Sequence, residues 1–201
     1  MSWLDVAIKN HQILEIKMKT KNVFSFAVLS FFISSAAVAG TKTGFYLGAD
    51  VAFANDTELE NSSVSIEESN DVGFNAVVGY ESKLEESFKL AGEVEYQNFG
   101  EVDFLGTMKA DGYAIFANLK PKYTFKNGTY IAGVVGLGQM TLKDKTNAVE
   151  ESETGYQFGV EGGYNINESV SLNVGYRSAN TEIDDVEIAI RGFYAGARYY
   201  F

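Results

Sequence analysis

The residues of this chain that could do chemistry are charged side chains placed two positions apart. Glu93 and Glu95 form one such pair, and Lys120 and Lys122 form another. Two neighbouring carboxylates can serve as general acid and general base. On a β-strand, residues two apart point to the same face, so the same spacing also predicts carboxylates and ammonium groups that pair with one another. We expect this second arrangement, a network of ion pairs.

The chain lacks the residue types that nucleophilic catalysis uses most. It contains no Cys, and its one His is His11, which lies in a segment that we expect to be removed. A chain without His or Cys cannot assemble a Ser-His-Asp or Cys-His site. We therefore predict that the protein is not an enzyme and has no cofactor and no metal site. The net charge of −11 and the absence of a basic stripe also predict that it binds no nucleic acid.

Residues 1–39 have the order of a secretory signal peptide. A cationic stretch around Met18 is followed by an apolar run over 23–33 and by small residues that end in Ala37-Val38-Ala39. This order is typical of an exported protein. The apolar run is shorter than the roughly 20 residues that a membrane-spanning helix needs. We expect cleavage after Ala39, with Ala37 and Ala39 as the recognised small residues, and we interpret 1–17 as an upstream extension.

The remaining residues, 40–201, form one domain with a repeat of period two. Large apolar residues alternate with Gly, small or charged residues, which is typical of β-strands that have two different faces. Eight such segments can be drawn, and they cover roughly 43–54, 71–82, 87–99, 108–125, 129–141, 153–165, 169–179 and 187–201.

The connections between these segments alternate in length. Those after the second, fourth and sixth segments are short, and Asn127-Gly128 is a strong signal for a tight hairpin. The others are longer and polar, and the longest covers about 55–70. Short turns at one end and long loops at the other are typical of a membrane barrel, with both termini periplasmic and the long loops extracellular.

The choice of inner face separates a membrane barrel from a soluble one, whose apolar face would point inward. Here the polar face is rich in Gly and in opposite charges, which suits the interior of a narrow barrel. Aromatic residues collect near the segment ends, with Tyr199 and Phe201 on the short-turn side and Tyr96 and Phe99 toward the loops, as two interfacial girdles require. We therefore predict an all-β fold, an eight-stranded antiparallel up-and-down transmembrane β-barrel. Its interior charge network would contain Glu93, Glu95, Lys120, Lys122, Glu161, Arg177 and Arg198.

The last eight residues match the outer-membrane assembly signal, in which a polar or aromatic residue, a Gly and two aromatics stand at fixed spacing. The matching residues are Tyr194, Gly196, Tyr199 and Phe201. Together with the strand pattern, this segment resembles the small outer-membrane barrels of the OmpA, OmpX and Ail type, the porin-like β-barrels of Gram-negative cell envelopes. The resemblance implies that periplasmic chaperones and the barrel assembly machinery handle the chain. It also implies that outer-membrane lipid and lipopolysaccharide surround it.

The long loops carry most of the acidic residues. We expect a structural or surface-interaction role, in membrane integrity or adhesion, with an unidentified ligand held by the loops. The alternative is a narrow porin-like channel for ions or small solutes. Eight strands leave an interior just wide enough for side chains, which disfavours a permanent pore. The acidic loop residues are Asp56, Glu58, Glu60, Glu67, Glu68, Asp71, Glu150, Glu151, Glu153, Glu182, Asp184, Asp185 and Glu187.

Overall fold

A computed structural model describes residues 43–61, 64–104, 108–144, 149–183 and 186–201. The expected signal peptide and its cleavage residues, Ala37 and Ala39, lie outside these ranges. The described residues include no helix that is long and apolar enough to cross a membrane. Their strands are β1 (Gly44–Asn61), β2 (Val64–Ser69), β3 (Gly73–Lys83), β4 (Phe88–Phe104), β5 (Met108–Thr124), β6 (Thr129–Asp144), β7 (Val149–Asn165), β8 (Val170–Ile183) and β9 (Val186–Tyr200).

Eight of these strands close into one antiparallel barrel. From β3 to β9 each strand pairs with the next along the chain, and β1 pairs with both β3 and β9. The seam between the first and last strands runs in unbroken register from Tyr46↔Tyr200 to Phe53↔Phe193. Closure removes the free edges that would leave backbone groups unsatisfied in lipid. The predicted fold class is confirmed.

The strand β2 continues β3 beyond a short interruption. Asp56 pairs with Ser69 in the β1–β2 ladder and Ala52 pairs with Gly73 in the β1–β3 ladder, with the same register on both sides of the break. The predicted loop over 55–70 is therefore mostly strand. The alternation continues through this segment, with Thr57 and Leu59 buried and Glu60 exposed. The expectation of a long loop was wrong because acidic residues mark a solvated strand face here.

Two β-bulges lie on neighbouring parts of the barrel wall. The register shifts between Phe53 and Asp56 in β1, where Ala54 has φ 49°, and between Asn98 and Glu101 in β4, where Gly100 has φ 78°. Each bulge adds one residue and changes which face the following residues occupy. In β4 the change appears at Val102, which is buried. Phe99 lies before this change and continues the inner face of Glu95 and Gln97, so it is buried inside the barrel and does not belong to an interfacial girdle, where it was expected.

The short connections are tight turns held by side-chain oxygens. In the β5–β6 turn, Gly128 has φ 86°, and Asn127 Oδ1 accepts from the Thr129 amide at 3.1 Å. In the β7–β8 turn, Asn167 Oδ1 accepts from the amides of Ser169 at 2.8 Å and Val170 at 2.9 Å. These turns bring strand ends together at one end of the barrel and so place residues of different strands at equal depth.

The two faces of the wall differ as predicted. Apolar side chains point outward, and exposed aromatics form edge-to-face pairs at the short-turn end, with ring centroids 5.0 Å apart for Phe45–Tyr80 and 5.3 Å apart for Tyr199–Phe201. A second set of aromatics lies toward the other end, and Tyr176 and Phe193 are 5.0 Å apart there. The band between the two sets is the lipid-facing surface, and polar side chains fill the inner face behind it.

Pro121 lies in β5 with its ring on the outer face, and it is exposed. It pairs with Leu90 of β4. On the β6 side, the pairing is interrupted between Leu119↔Val135 and Lys122↔Ala132. Pro has no amide hydrogen to donate, so Pro121 cannot complete the ladder at this position. There is no bulge, because the register is the same on both sides of the gap.

Candidate functional site

The seven charged residues predicted for the interior are all buried. Three more buried charges accompany them, Asp50, Glu81 and Lys89, which sequence reasoning missed. Each of these lies on the same alternating face as its charged neighbours, so the period-two pattern was the signal that could have found them. The set contains five acidic and five basic residues. Burying charges is costly unless they are paired, and here the numbers allow complete pairing.

The central group of charges joins the barrel seam to the opposite wall. The Arg198 guanidinium binds Asp50 with two hydrogen bonds, Nη1–Oδ1 at 2.6 Å and Nη2–Oδ2 at 3.0 Å, and Nη2 is 3.8 Å from Glu161 Oε2. Lys120 Nζ lies 2.7 Å from Glu161 Oε1 and 3.3 Å from Glu93 Oε1. The group links three carboxylates and two cations from five strands, and each holds its partners in place.

A second group lies nearer the short-turn end. Glu81 accepts from Lys89 Nζ at 2.8 Å and also pairs with Lys122. Lys122 Nζ donates to the Tyr200 hydroxyl at 3.1 Å and lies 5.0 Å from the ring centroid of Tyr130. A cation held between carboxylates and aromatic faces is well compensated for the loss of water. This group crosses the interior near the short-turn girdle, because its members come from β3, β4, β5, β6 and β9.

A third group lies above the centre, toward the extended strands. Glu95 pairs with Arg177, whose guanidinium also stacks 4.5 Å from the ring centroid of Tyr194. Gln157 Nε2 donates to Glu95 Oε2 at 3.0 Å and to Asn118 Oδ1 at 2.6 Å. The side-chain amides of Gln157 and Asn118 lie beside the charged pair, so the Glu95 carboxylate accepts its hydrogen bonds from groups of the protein.

Three tyrosines cross-link these groups, and each lies over a glycine of the neighbouring strand. The register pairs Tyr46 with Gly79, Tyr130 with Gly163 and Tyr194 with Gly175. A Cβ on any of these glycines would come within 2.4 Å of the ring. The hydroxyls donate to carboxylates, with Tyr46 2.5 Å from Glu93 and Tyr130 2.9 Å from Glu161. The interior glycines thus make room for the tyrosines that orient the acids.

Above the charges, the interior becomes apolar. Phe116 and Met140 are completely buried there, and Phe99, Leu142 and Ile188 belong to the same cluster. This cluster was not predicted from the sequence, because Phe116 stands between Ile115 and Ala117 and the segment is apolar on both faces. The alternation itself places Phe116 inside, since it shares a face with Asn118 and Lys120. Phe99 was expected outside and Phe116 was not named, so the predicted interior is more polar than the one observed. The arrangement as a whole is suited to filling and stiffening a barrel, and each of the five buried carboxylates is paired with a buried cation.

A family described as the outer membrane protein beta-barrel domain matches residues 24–201. This chain belongs to that family. The barrel is similar to the crystal structure of Neisserial surface protein A, with a TM-score of 0.58 and 19% identity over 79% of this chain and 98% of that one. It is also similar to the attachment invasion locus protein Ail of Yersinia pestis, with a TM-score of 0.50 and 15% identity over 79% of this chain and 100% of that one. No curated protein sequence matches the chain.

The strands of this outer-membrane barrel extend beyond the lipid-facing band as a rim with polar outer faces. On its outer surface Glu60 lies opposite Glu187 of β9 in the strand register, and Glu187 lies opposite Glu182 of β8, so three glutamates lie side by side.

Elsewhere on the rim, a hydrogen bond from Lys143 Nζ to Glu150 at 3.1 Å, together with the charge of that carboxylate, raises the pKa of the Lys143 ammonium group. In the described part of the chain, no three His, Cys, Asp or Glu residues are placed to hold a metal ion.

The four residues of the expected assembly signal occupy β9 and the chain end. Tyr199 and Phe201 are exposed on the outer face, whereas the Tyr194 hydroxyl is inside and donates to Glu161 at 3.1 Å. A Cβ on Gly196 would lie 2.1 Å from the carbonyl oxygen of Ala49 across the seam. The segment therefore combines outward aromatics with a close contact to the first strand.

Proposed function

We propose that this outer-membrane protein is a plugged barrel that acts through its extracellular outer surface and provides no permanent path for solutes. The observation that supports this is the filled interior, in which ten buried charges and a layer of apolar side chains follow one another along the axis. In an eight-stranded barrel, side chains alone are sufficient to fill the lumen.

The small size of two interior cavities supports the same proposal. One, beside Phe99 and Leu142, has a volume of about 20 Å³, and another, beside Asn75 and Arg177, has about 10 Å³. A cavity needs roughly 10–15 Å³ to hold one water. Each of these spaces therefore has room for about a single water molecule, which is far from a continuous column.

The orientation in the membrane is part of the proposal. Both ends of the barrel sequence and the short turns would be periplasmic, and the extended strand ends would project from the cell. Outer-membrane barrels generally keep their short turns on the periplasmic side. The row formed by Glu60, Glu182 and Glu187 would then lie just outside the lipid. Like charges on adjacent strands destabilise a sheet, so this row favours a cationic ligand.

A role at the surface also fits the distribution of charge. Among the residues whose burial the structure describes, the interior holds equal numbers of acids and bases, and Glu60, Glu182 and Glu187 are exposed. The excess of negative charge among these residues therefore lies outside the interior. An acidic rim is repelled by the phosphates of lipopolysaccharide. We propose that the rim contacts cationic surfaces or peptides, and that lipopolysaccharide approaches it only with bridging cations.

Conductance in planar lipid bilayers tests the plug. The purified, refolded protein should give no stable openings at neutral pH. Frequent and stable openings would contradict the proposal and favour the narrow channel for ions or small solutes.

Binding of fluorescent poly-L-lysine to intact cells tests the surface role and the orientation together. The triple variant Glu60→Gln/Glu182→Gln/Glu187→Gln should bind less of the polycation than the unmodified protein at equal surface expression. The matched control Glu85→Gln/Glu86→Gln/Glu168→Gln removes the same charge from the short turns and should bind as the unmodified protein does. Loss in the short-turn control alone would contradict the orientation. Equal loss in both triple variants, or no loss in either, would contradict the surface role of the row.

A further inference from the structure

A large concavity lies on the outer wall of the barrel, within the lipid-facing band. Its volume is about 730 Å³, and it extends over β5 to β8, with Phe88 and Phe193 at its margins. We call it the Gly133 groove, and we define it by Pro121, Tyr123, Gly133, Val160, Gly162 and Tyr176. Its volume lies within the range of about 300–1,000 Å³ that is typical of ligand pockets.

The groove arises because two glycines occupy outward positions on adjacent strands. In the β6–β7 ladder, Gly133 pairs with Val160 and Ile131 pairs with Gly162, so the two glycines are diagonal neighbours. A Cβ on Gly133 would meet only Pro121 Cγ, at 3.8 Å, and a Cβ on Gly162 would meet only the Tyr130 carbonyl, at 3.8 Å. These distances are ordinary contacts. Packing within the barrel therefore does not require glycine at either position, unlike at the interior glycines.

Pro121 forms one wall of the groove, where its ring replaces a longer side chain. Pro121 has no amide hydrogen to donate, and the pairing of β5 with β6 is interrupted beside Gly133. The compact proline ring and the two glycines place few side-chain atoms on this part of the wall, so its surface is smooth. A flexible chain can lie against such a surface more closely than a neighbouring barrel, whose own outer wall is convex.

The chemistry of the groove is that of a hydrocarbon site. Its outward side chains are aliphatic or aromatic, and among its lining residues the one carboxylate, that of Glu161, points inward with 1% of its surface exposed. Toward the short-turn end the groove reaches Tyr123, which packs against Phe125 with ring centroids 5.1 Å apart. The adjoining turn presents Lys126, which is exposed. A cation beyond an apolar groove complements a lipid phosphate.

We propose that the Gly133 groove binds one acyl chain of a phospholipid, with the lipid phosphate toward Lys126. The lipid is fixed in place, unlike the exchanging lipids around the rest of the barrel. This assignment depends on the groove and its position in the lipid-facing band, and it is independent of whether the barrel conducts.

Native mass spectrometry of the full-length mature barrel tests this site. The protein is refolded with palmitoyl-oleoyl phosphatidylglycerol and exchanged into detergent, and we expect a retained adduct of one lipid per barrel. Gly133→Leu/Gly162→Leu fills the groove and should reduce the adduct by tenfold or more. The matched control is Gly92→Leu, because Gly92 is also exposed on the outer wall and a Cβ there would meet nothing within 4 Å. It should retain the adduct.

Several results would overturn the proposal. These are no adduct in the unmodified protein, an adduct that persists in the filled groove, or an equal loss with Gly92→Leu. An adduct formed with lipopolysaccharide but not with phosphatidylglycerol would also overturn it. So would light scattering that shows a dimer lost only when the groove is filled, because the occupant would then be a second copy. Heat-dependent gel migration establishes that each variant is folded, and Gly133→Val replaces the double variant if the latter fails to fold.

Discussion

Arg198 donates two hydrogen bonds, of 2.6 and 3.0 Å, to Asp50 across the seam that closes the barrel. Arg198 lies on the last strand and Asp50 on the first. The register places Arg198 directly opposite Gly48, and a Cβ on Gly48 would lie 2.3 Å from Arg198 Cδ. The glycine therefore gives the guanidinium its space. The ion pair connects the two strands that are farthest apart in sequence, so it can form only when the barrel has closed.

Removal of this cation should strongly destabilise the barrel. In Arg198→Ala, Asp50 is left as an unpaired buried carboxylate, and breaking a buried pair in this way costs about 3–5 kcal/mol. The free energy of unfolding, measured by urea titration in lipid vesicles, checks this value. The control is Arg191→Ala, which removes a solvent-exposed pair with Glu58 at 2.6 Å. That change should cost about 0–1 kcal/mol, and equal losses in the two variants would contradict the role of the seam pair.

The sequence was sufficient to predict the wall of the barrel but not all of its interior. Outward and inward residues were separated by period two wherever one face was polar, as at Glu93 and Glu95. Phe116 was left out because both faces are apolar around it, although the alternation that carries Asn118 and Lys120 inward also places it inside. Phe99 was misplaced because it was assigned to a girdle by its position near a strand end, although the alternation that buries Glu95 and Gln97 also places it inside. The bulge at Gly100 affects the residues after it, and a bulge shifts register without a distinct mark in the alternation.

The apolar cluster should contribute more to stability than the lipid-facing residues beside it. Phe116→Ala removes a completely buried ring and leaves a cavity, at a cost of about 3–5 kcal/mol. Ile115→Ala, on the outer face of the same strand, should cost less, because lipid chains fill the space that the side chain leaves. The same urea titration compares the two variants. If Ile115→Ala were the more damaging substitution, the assignment of Phe116 to the inner face of β5 and of Ile115 to the outer face would be wrong.

The bulge at Gly100 requires glycine. Its φ is 78°, and a Cβ there would lie 2.3 Å from the Asp71 carbonyl oxygen. Left-handed backbone costs other residues about 1–2 kcal/mol, so Gly100→Ala should destabilise the barrel by at least that amount. Gly92→Ala should be neutral or stabilising by up to about 1 kcal/mol, because Gly92 has open space and no left-handed φ. Thermal melting in detergent checks both, and a tolerated Gly100→Ala would mean that the bulge can relax.

The outer face of β6 should locate the upper limit of the lipid-facing band. Val135 and Gln139 lie on this face, two outward positions apart, and both are exposed. An arginine near the middle of the bilayer costs a membrane barrel about 2–4 kcal/mol, and near an interface about 0–1 kcal/mol. We therefore expect Val135→Arg to destabilise the barrel by the larger amount and Gln139→Arg by the smaller. Urea titration in vesicles checks this difference. Equal costs at the two positions would place the rim inside the lipid, and the acidic row of Glu60, Glu182 and Glu187 would then no longer lie on a solvated surface.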